Sequence, residues 1–200
     1  DVYKRQPREI ALFKSNNTFR LDMEMPEFPL FAIKLNDKKE DLVSKFLSIR
    51  PSERWVLVSK DAIFSQQQLW TAWLFSERNF HRENNLARTI DAEFLRFIAG
   101  THHVSEAFRR VGYSEKNDSA SIVFLPASEE INQQFIPEFD SQDIGRIAGE
   151  IILELGASQT SDKYSSNFDF LPNMGISANG RMSNDLQLLI NHIISADITN

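Results

Sequence analysis

The segment from Asp91 to Gly112 constrains the fold more than any other part of the chain. It reads as two helices in quick succession, each stopped by a glycine. In the first, Ile90, Phe94, Phe97 and Ile98 recur at helical spacing, and Gly100 is placed to end the helix in a left-handed conformation. In the second, Val104, Ala107, Phe108 and Val111 form the apolar stripe and Gly112 closes it.

The flanking sequence supplies strands and further helices. Phe28-Pro-Leu-Phe-Ala-Ile-Lys-Leu35 reads as a strand, with Phe31, Ile33 and Leu35 alternating toward one face. Asp37 is placed to cap a helix whose buried stripe is Leu42, Phe46 and Leu47. Trp55-Val-Leu-Val-Ser59 is a short apolar strand of the fully buried kind. Ser65-Gln-Gln-Gln68 fits a capping box and opens a helix that buries Leu69, Ala72, Trp73 and Phe80. Ser121 to Leu125 is another central strand, ended by Pro126. Asp140 caps a helix with the stripe Ile144, Ile147, Ala148, Ile151, Ile152 and Leu155, and Gly156 follows it. Residues 157–182 read as a long mobile loop with room for an unplaced fourth strand, and Ser183 opens a terminal helix.

The fold class expected is α/β in the α+β sense: a single layered domain with a mixed central sheet flanked by helices. Its 200 residues and 42% apolar content suit one such domain, assigned here to residues 23–200. The chain starts at Asp1 without a methionine, and residues 1–22 are expected to be an extension outside the fold, with Met23 or Met25 as candidate starts. The absence of cysteine excludes disulfides and zinc–thiolate sites and fits a reducing cytosol. No apolar run approaches the length of a membrane span, and no N-terminal segment reads as a signal peptide.

Charge is uneven. Residues 1–113 hold 18 Lys+Arg against 15 Asp+Glu, a balance of +3, while residues 114–200 hold 4 against 13, a balance of −9. A nucleic acid is therefore expected on the first part of the chain. Catalytic motifs are missing. His81, His102, His103 and His192 complete no metal-ligand spacing, and adjacent histidines at a helix start diverge by about 100°. There is no Gly-x-Ser-x-Gly and no phosphate-binding glycine loop. Asp91 and Glu93 face different sides of their helix, which suits solvation or dipole complementarity better than acid–base work. Neither an enzyme nor a cofactor is expected.

Taken in order, Val56-Leu-Val-Ser59, the helix from Ser65, Asn84-Asn85, Glu93, Gly100-Thr-His-His-Val104, Ala107 to Gly112 and Ile122-Val-Phe-Leu125 resemble a known pattern. It is that of the kinase-binding regulatory subunit of the KEOPS complex, the PRPK-binding protein family. The resemblance covers roughly residues 28–155 and is densest over 56–125. It departs at the turn, where His102 and His103 replace the family's Arg-Gln.

The resemblance implies a non-catalytic cytoplasmic subunit of the machinery that makes threonylcarbamoyladenosine in tRNA. Such a subunit binds and stimulates an atypical kinase, meets the other KEOPS subunits indirectly, and holds the single-stranded tRNA 3′ end. On this chain the tRNA-binding expectation falls on Arg82, Asn84, Asn85, Arg88, His102, His103, Arg109 and Arg110, residues able to pair with phosphate or stack on splayed bases.

The kinase-binding expectation falls on Leu188, Leu189 and His192. Leu188 projects nearly opposite Leu186 and Ile190, which makes both sides of the terminal helix apolar and leaves one for a partner. A rival reading from another class is a small-molecule enzyme or ligand-binding domain with a pocket lined by Trp70, Trp73, Phe75 and Phe80.

Overall fold

The computed structural model describes residues 26–36, 41–131, 134–176 and 182–198. The expected extension at 1–22 and the expected cap Asp37 lie outside these residues. In chain order the elements are β1 (Leu30–Leu35), α1 (Leu42–Ile49), β2 (Trp55–Ser59), α2 (Gln66–His81), α3 (Ile90–Ile98) and α4 (Val104–Val111). They continue with β3 (Ser119–Phe124), β4 (Ala127–Ile131), β5 (Gln134–Glu138), α5 (Ser141–Leu155), β6 (Ala157–Gln159) and α6 (Met182–Ile198). Short 3-10 helices fall at Lys60–Ala62 and Phe168–Met174.

The fold is α+β. Four strands form one sheet in the order β2-β3-β1-β6, and the expected mixed sheet is antiparallel in all three of its pairings. Because strand side chains alternate, the sheet splits the core into two layers. Ile33, Leu35, Trp55, Leu57, Ala120 and Ile122 pack with Leu42 and Phe46 of α1 and the buried stripe of α5. Leu30, Val56, Val58 and Val123 face the other way, onto α2, α3, α4 and α6. No helix among the described residues is long and apolar enough to cross a membrane.

Local signals explain most element ends. Ser65 accepts the backbone N–H of Gln68, and the Gln68 amide returns to Phe64 N–H and the Ala62 carbonyl. Asp140 accepts from Gln142 and Asp143 at the start of α5. Gly100 has φ +57°, and the bonds Gly100 N–H to Phe97 O and Thr101 N–H to Arg96 O close α3 in a Schellman turn.

Several expectations are corrected. The residue that caps α1 is Asp41, in a left-handed conformation with no side-chain cap bond. Leu47 and Phe108, expected in buried stripes, are 49% and 48% exposed. The segment 157–182, expected to be a mobile loop, contains β6 on the free side of β1 and a 3-10 helix, and Leu171, Met174 and Ile176 are buried there. The β4–β5 hairpin was not anticipated. The rings proposed to line a ligand pocket pack instead: Trp70 lies edge-on to Trp73 at 5.1 Å and to Phe28 at 4.5 Å, and Phe75 stacks on Phe97 at 5.5 Å. Both indoles donate to backbone, Trp70 to Pro26 O and Trp73 to Pro126 O.

Candidate functional site

The polar linker between α2 and α3 is anchored from beneath by a buried ion pair. Glu93 and Arg96 are both fully buried, and Arg96 meets the carboxylate through Nη2 at 2.7 Å and Nε at 3.2 Å. Glu93 also accepts from the Asn79 amide and from the backbone N–H groups of Leu86 and Ala87, while Arg96 Nη1 donates to Thr101 O. Burial pushes the Glu93 carboxyl up, but Arg96, the Ala87 N–H and Asn79 together hold it below its ordinary value. Asp91 is likewise buried, not solvated, with Arg50 Nη1 at 2.6 Å and its own helix's Ala92 N–H at 2.8 Å. One network thus fixes both the linker and the turn after α3.

Above this anchor lies a cleft of about 600 Å3 lined by Arg78, Asn79, Arg82, Asn84, Leu86 and Asp197. The end of α6 forms one wall, where Arg78 Nη2 meets Asp197 Oδ2 at 2.5 Å and His102 Nε2 is 2.8 Å from Ala196 O. Arg78 also sits over the Phe75 ring, 4.4 Å from its centroid. Of the residues expected to bind RNA, Arg82 and Asn84 line this cleft, and His102 bonds the end of the helix that walls it. Asn85 is turned to Ala87 O, Arg88 is exposed on the linker, and His103 is exposed at the start of α4.

The two α4 arginines are differently engaged. Arg109 chelates Glu106 through Nε at 2.7 Å and Nη2 at 2.6 Å, and Arg110 Nε reaches the same carboxylate at 2.7 Å. The paired guanidiniums hold the Glu106 carboxyl down at about 2. Arg110 Nη1 also caps the carbonyls of Ala99 and Met174, so this residue braces the fold.

The terminal helix is used internally. Leu189 is fully buried, Leu188 is half-buried against the same core, and His192 Nε2 lies 3.2 Å from Ala99 O. The second apolar side expected for a partner packs inward, and Leu189 is not available as a contact.

An apolar groove lies elsewhere. Between α1 and α4 a recess of about 210 Å3 has Phe46, Val56, Leu57 and Leu95 among its walls, and Val43, Leu47 and Phe108 on its rim. Those three rim residues are 41%, 49% and 48% exposed. The Arg50–Asp91 pair is part of its lining. Sequence reasoning missed this site because Leu47 and Phe108 satisfy the helical spacing of core positions. It missed Arg78 too, although Arg78 stands in the last turn of α2, four residues before the C-cap Arg82.

The family described as kinase binding protein CGI-121 matches residues 35–155, which include the groove, the buried Glu93–Arg96 pair and most of the cleft. The chain belongs to this kinase-binding CGI-121 family. A curated relative, the EKC/KEOPS complex subunit CGI121 of Candida glabrata, is 23% identical over 128 residues, spanning 60% of this chain and 69% of its own. Within the CGI-121 match fall Arg78, Arg82, Asn84 and His102; α6, with Asp197, lies after it.

Proposed function

We propose that this protein is a non-catalytic cytoplasmic subunit of a KEOPS-type tRNA-modification complex. It docks the complex's atypical kinase on the α1–α4 groove, stimulates that kinase, and holds the tRNA 3′ end in the cleft at the end of α6. The observation that carries the reading is the exposed apolar groove on a member of a kinase-binding family. Val43, Leu47 and Phe108 leave apolar surface in water around a floor that is otherwise buried, the arrangement suited to a partner's apolar helix face.

Support for the RNA part comes from chemistry. Arg82 and Asn84 offer a cation and an amide in a recess of ligand size, and the planar ring of His102 lies against the helix end that walls it. These groups suit a single strand with its bases splayed. The acidic balance of residues 114–200 opposes a polyanion elsewhere, so the Arg78 and Arg82 side of the cleft is its favoured approach.

A pull-down with the cognate kinase, with and without tRNA, tests both parts. Wild type should retain the kinase, and Leu47→Glu should release it while keeping its melting temperature. Retention by Leu47→Glu, with loss by Leu188→Glu at unchanged melting temperature, would move the kinase surface to α6.

A further inference from the structure

The cleft contains a carboxylate where a phosphate would be expected to sit. On the reading that this cleft takes an RNA 3′ end, we propose that Asp197 is an internal stand-in for phosphate, occupying Arg78 until RNA displaces it. Three observations carry this. Asp197 meets Arg78 Nη2 at 2.5 Å, yet the two side chains keep 22% and 25% of their surface exposed, so the pair lies at the mouth where a ligand has access. Arg78 is held independently, its guanidinium 4.4 Å from the Phe75 centroid, so it keeps its place when the carboxylate leaves. Arg82, at the C-cap of α2 and on the same cleft, has no ion-pair partner among the described residues.

The cleft therefore presents one occupied guanidinium beside one unoccupied one. Carboxylate and phosphate oxygens satisfy a guanidinium with the same charge-assisted bonds, so the exchange conserves Arg78's bonding. It does not conserve charge. An incoming phosphate must approach Asp197 and the carbonyl end of α6, both of which oppose it. Asp197 thereby lowers affinity for any anion and sets a threshold that a short or poorly seated strand does not pass.

The test compares full-length wild type, Asp197→Asn, Arg78→Ala and the double variant for binding of a short fluorescent single-stranded RNA ending in CCA, read by anisotropy without kinase. Asp197→Asn should bind about three- to tenfold more tightly, the scale of removing one nearby like charge at a partly screened site. The gain should vanish in the double variant, because it works through Arg78. Equal binding by wild type and Asp197→Asn would overturn the stand-in while leaving the RNA reading intact. Absence of binding in both would overturn the RNA reading itself, and the stand-in with it. Should Asp197→Asn lower the melting temperature, the Arg78 Nε–H resonance of wild type gives the same answer without substitution. It should move on RNA addition, and a resonance unmoved by saturating RNA would refute the exchange.

Discussion

The imidazole of His192 covers the α-carbon of Gly100 so closely that a Cβ built on the glycine would fall 1.9 Å from its Nε2. The glycine is required twice at this position, by its φ of +57° and by the ring above it. Gly100→Ala should cost about 1–2 kcal/mol from the left-handed backbone alone, more with the displaced ring. Calorimetry of Gly100→Ala with and without His192→Ala separates the two, and the double variant should recover only the steric part. Full recovery would show that the backbone is unstrained.

Glu93 and Arg96 stabilise the fold as a pair, and breaking the pair should be far worse than its net contribution suggests. Glu93→Gln leaves Arg96 buried with its charge unmatched, a loss of about 3–5 kcal/mol by denaturant titration. The pair also gives a pH signature. The folded carboxyl titrates below the unfolded value near 4.5, so its contribution is complete above that pH and is lost as the pH falls through the lower folded value. Wild-type stability should decline there, and Glu93→Gln should lack that component. Identical acid profiles would contradict it.

Phe108→Glu should weaken kinase capture at least tenfold with a melting temperature near wild type, because the ring is 48% exposed on the groove rim. A variant that captures kinase normally would remove α4 from the docking face.

Arg82→Gln should weaken tRNA binding and reduce the slope of log affinity against log salt by about 0.7, the value for one phosphate contact on a single strand. Removing the terminal CCA from wild-type complexes should cost at least as much. Arg109→Gln should do less, since Arg109 already chelates Glu106. An unchanged slope for Arg82→Gln would place the strand elsewhere.

Ser121 carries a buried hydroxyl with no hydrogen-bond partner among the described residues. Ser121→Ala removes that polar atom from the middle of β3 and should stabilise the protein by up to about 1 kcal/mol. A loss of stability would reveal a bonded water at the site.

What the sequence conveyed depended on how local the signal was. Alternation in β1 assigned Phe31, Ile33 and Leu35 to one layer correctly, and the hydroxyl and carboxylate caps at Ser65 and Asp140 mark their helix starts. The edge strand β6 has only Ala, Ser and Gln, with no periodicity of its own, and exists because β1 offers it a free side. Asp91 looked like a solvated charge since its partner Arg50 lies 41 residues away, whereas Glu93 has its partner Arg96 three residues on and its burial comes from packing that no local pattern shows. The end of α6 meets Arg78 of α2 and His102 of the turn after α3, contacts that no local pattern signals because they span 119 and 94 residues of sequence.

The sheet order has a consequence for how the protein is made. β1 leaves the ribosome well ahead of both neighbours that flank it, β3 and β6, at Ser119–Phe124 and Ala157–Gln159. At ordinary synthesis rates the apolar Leu30–Leu35 segment waits roughly 5 to 20 s for its first partner. During that interval the nascent chain exposes an apolar strand with both edges unpaired, the kind of surface that invites aggregation until β3 arrives.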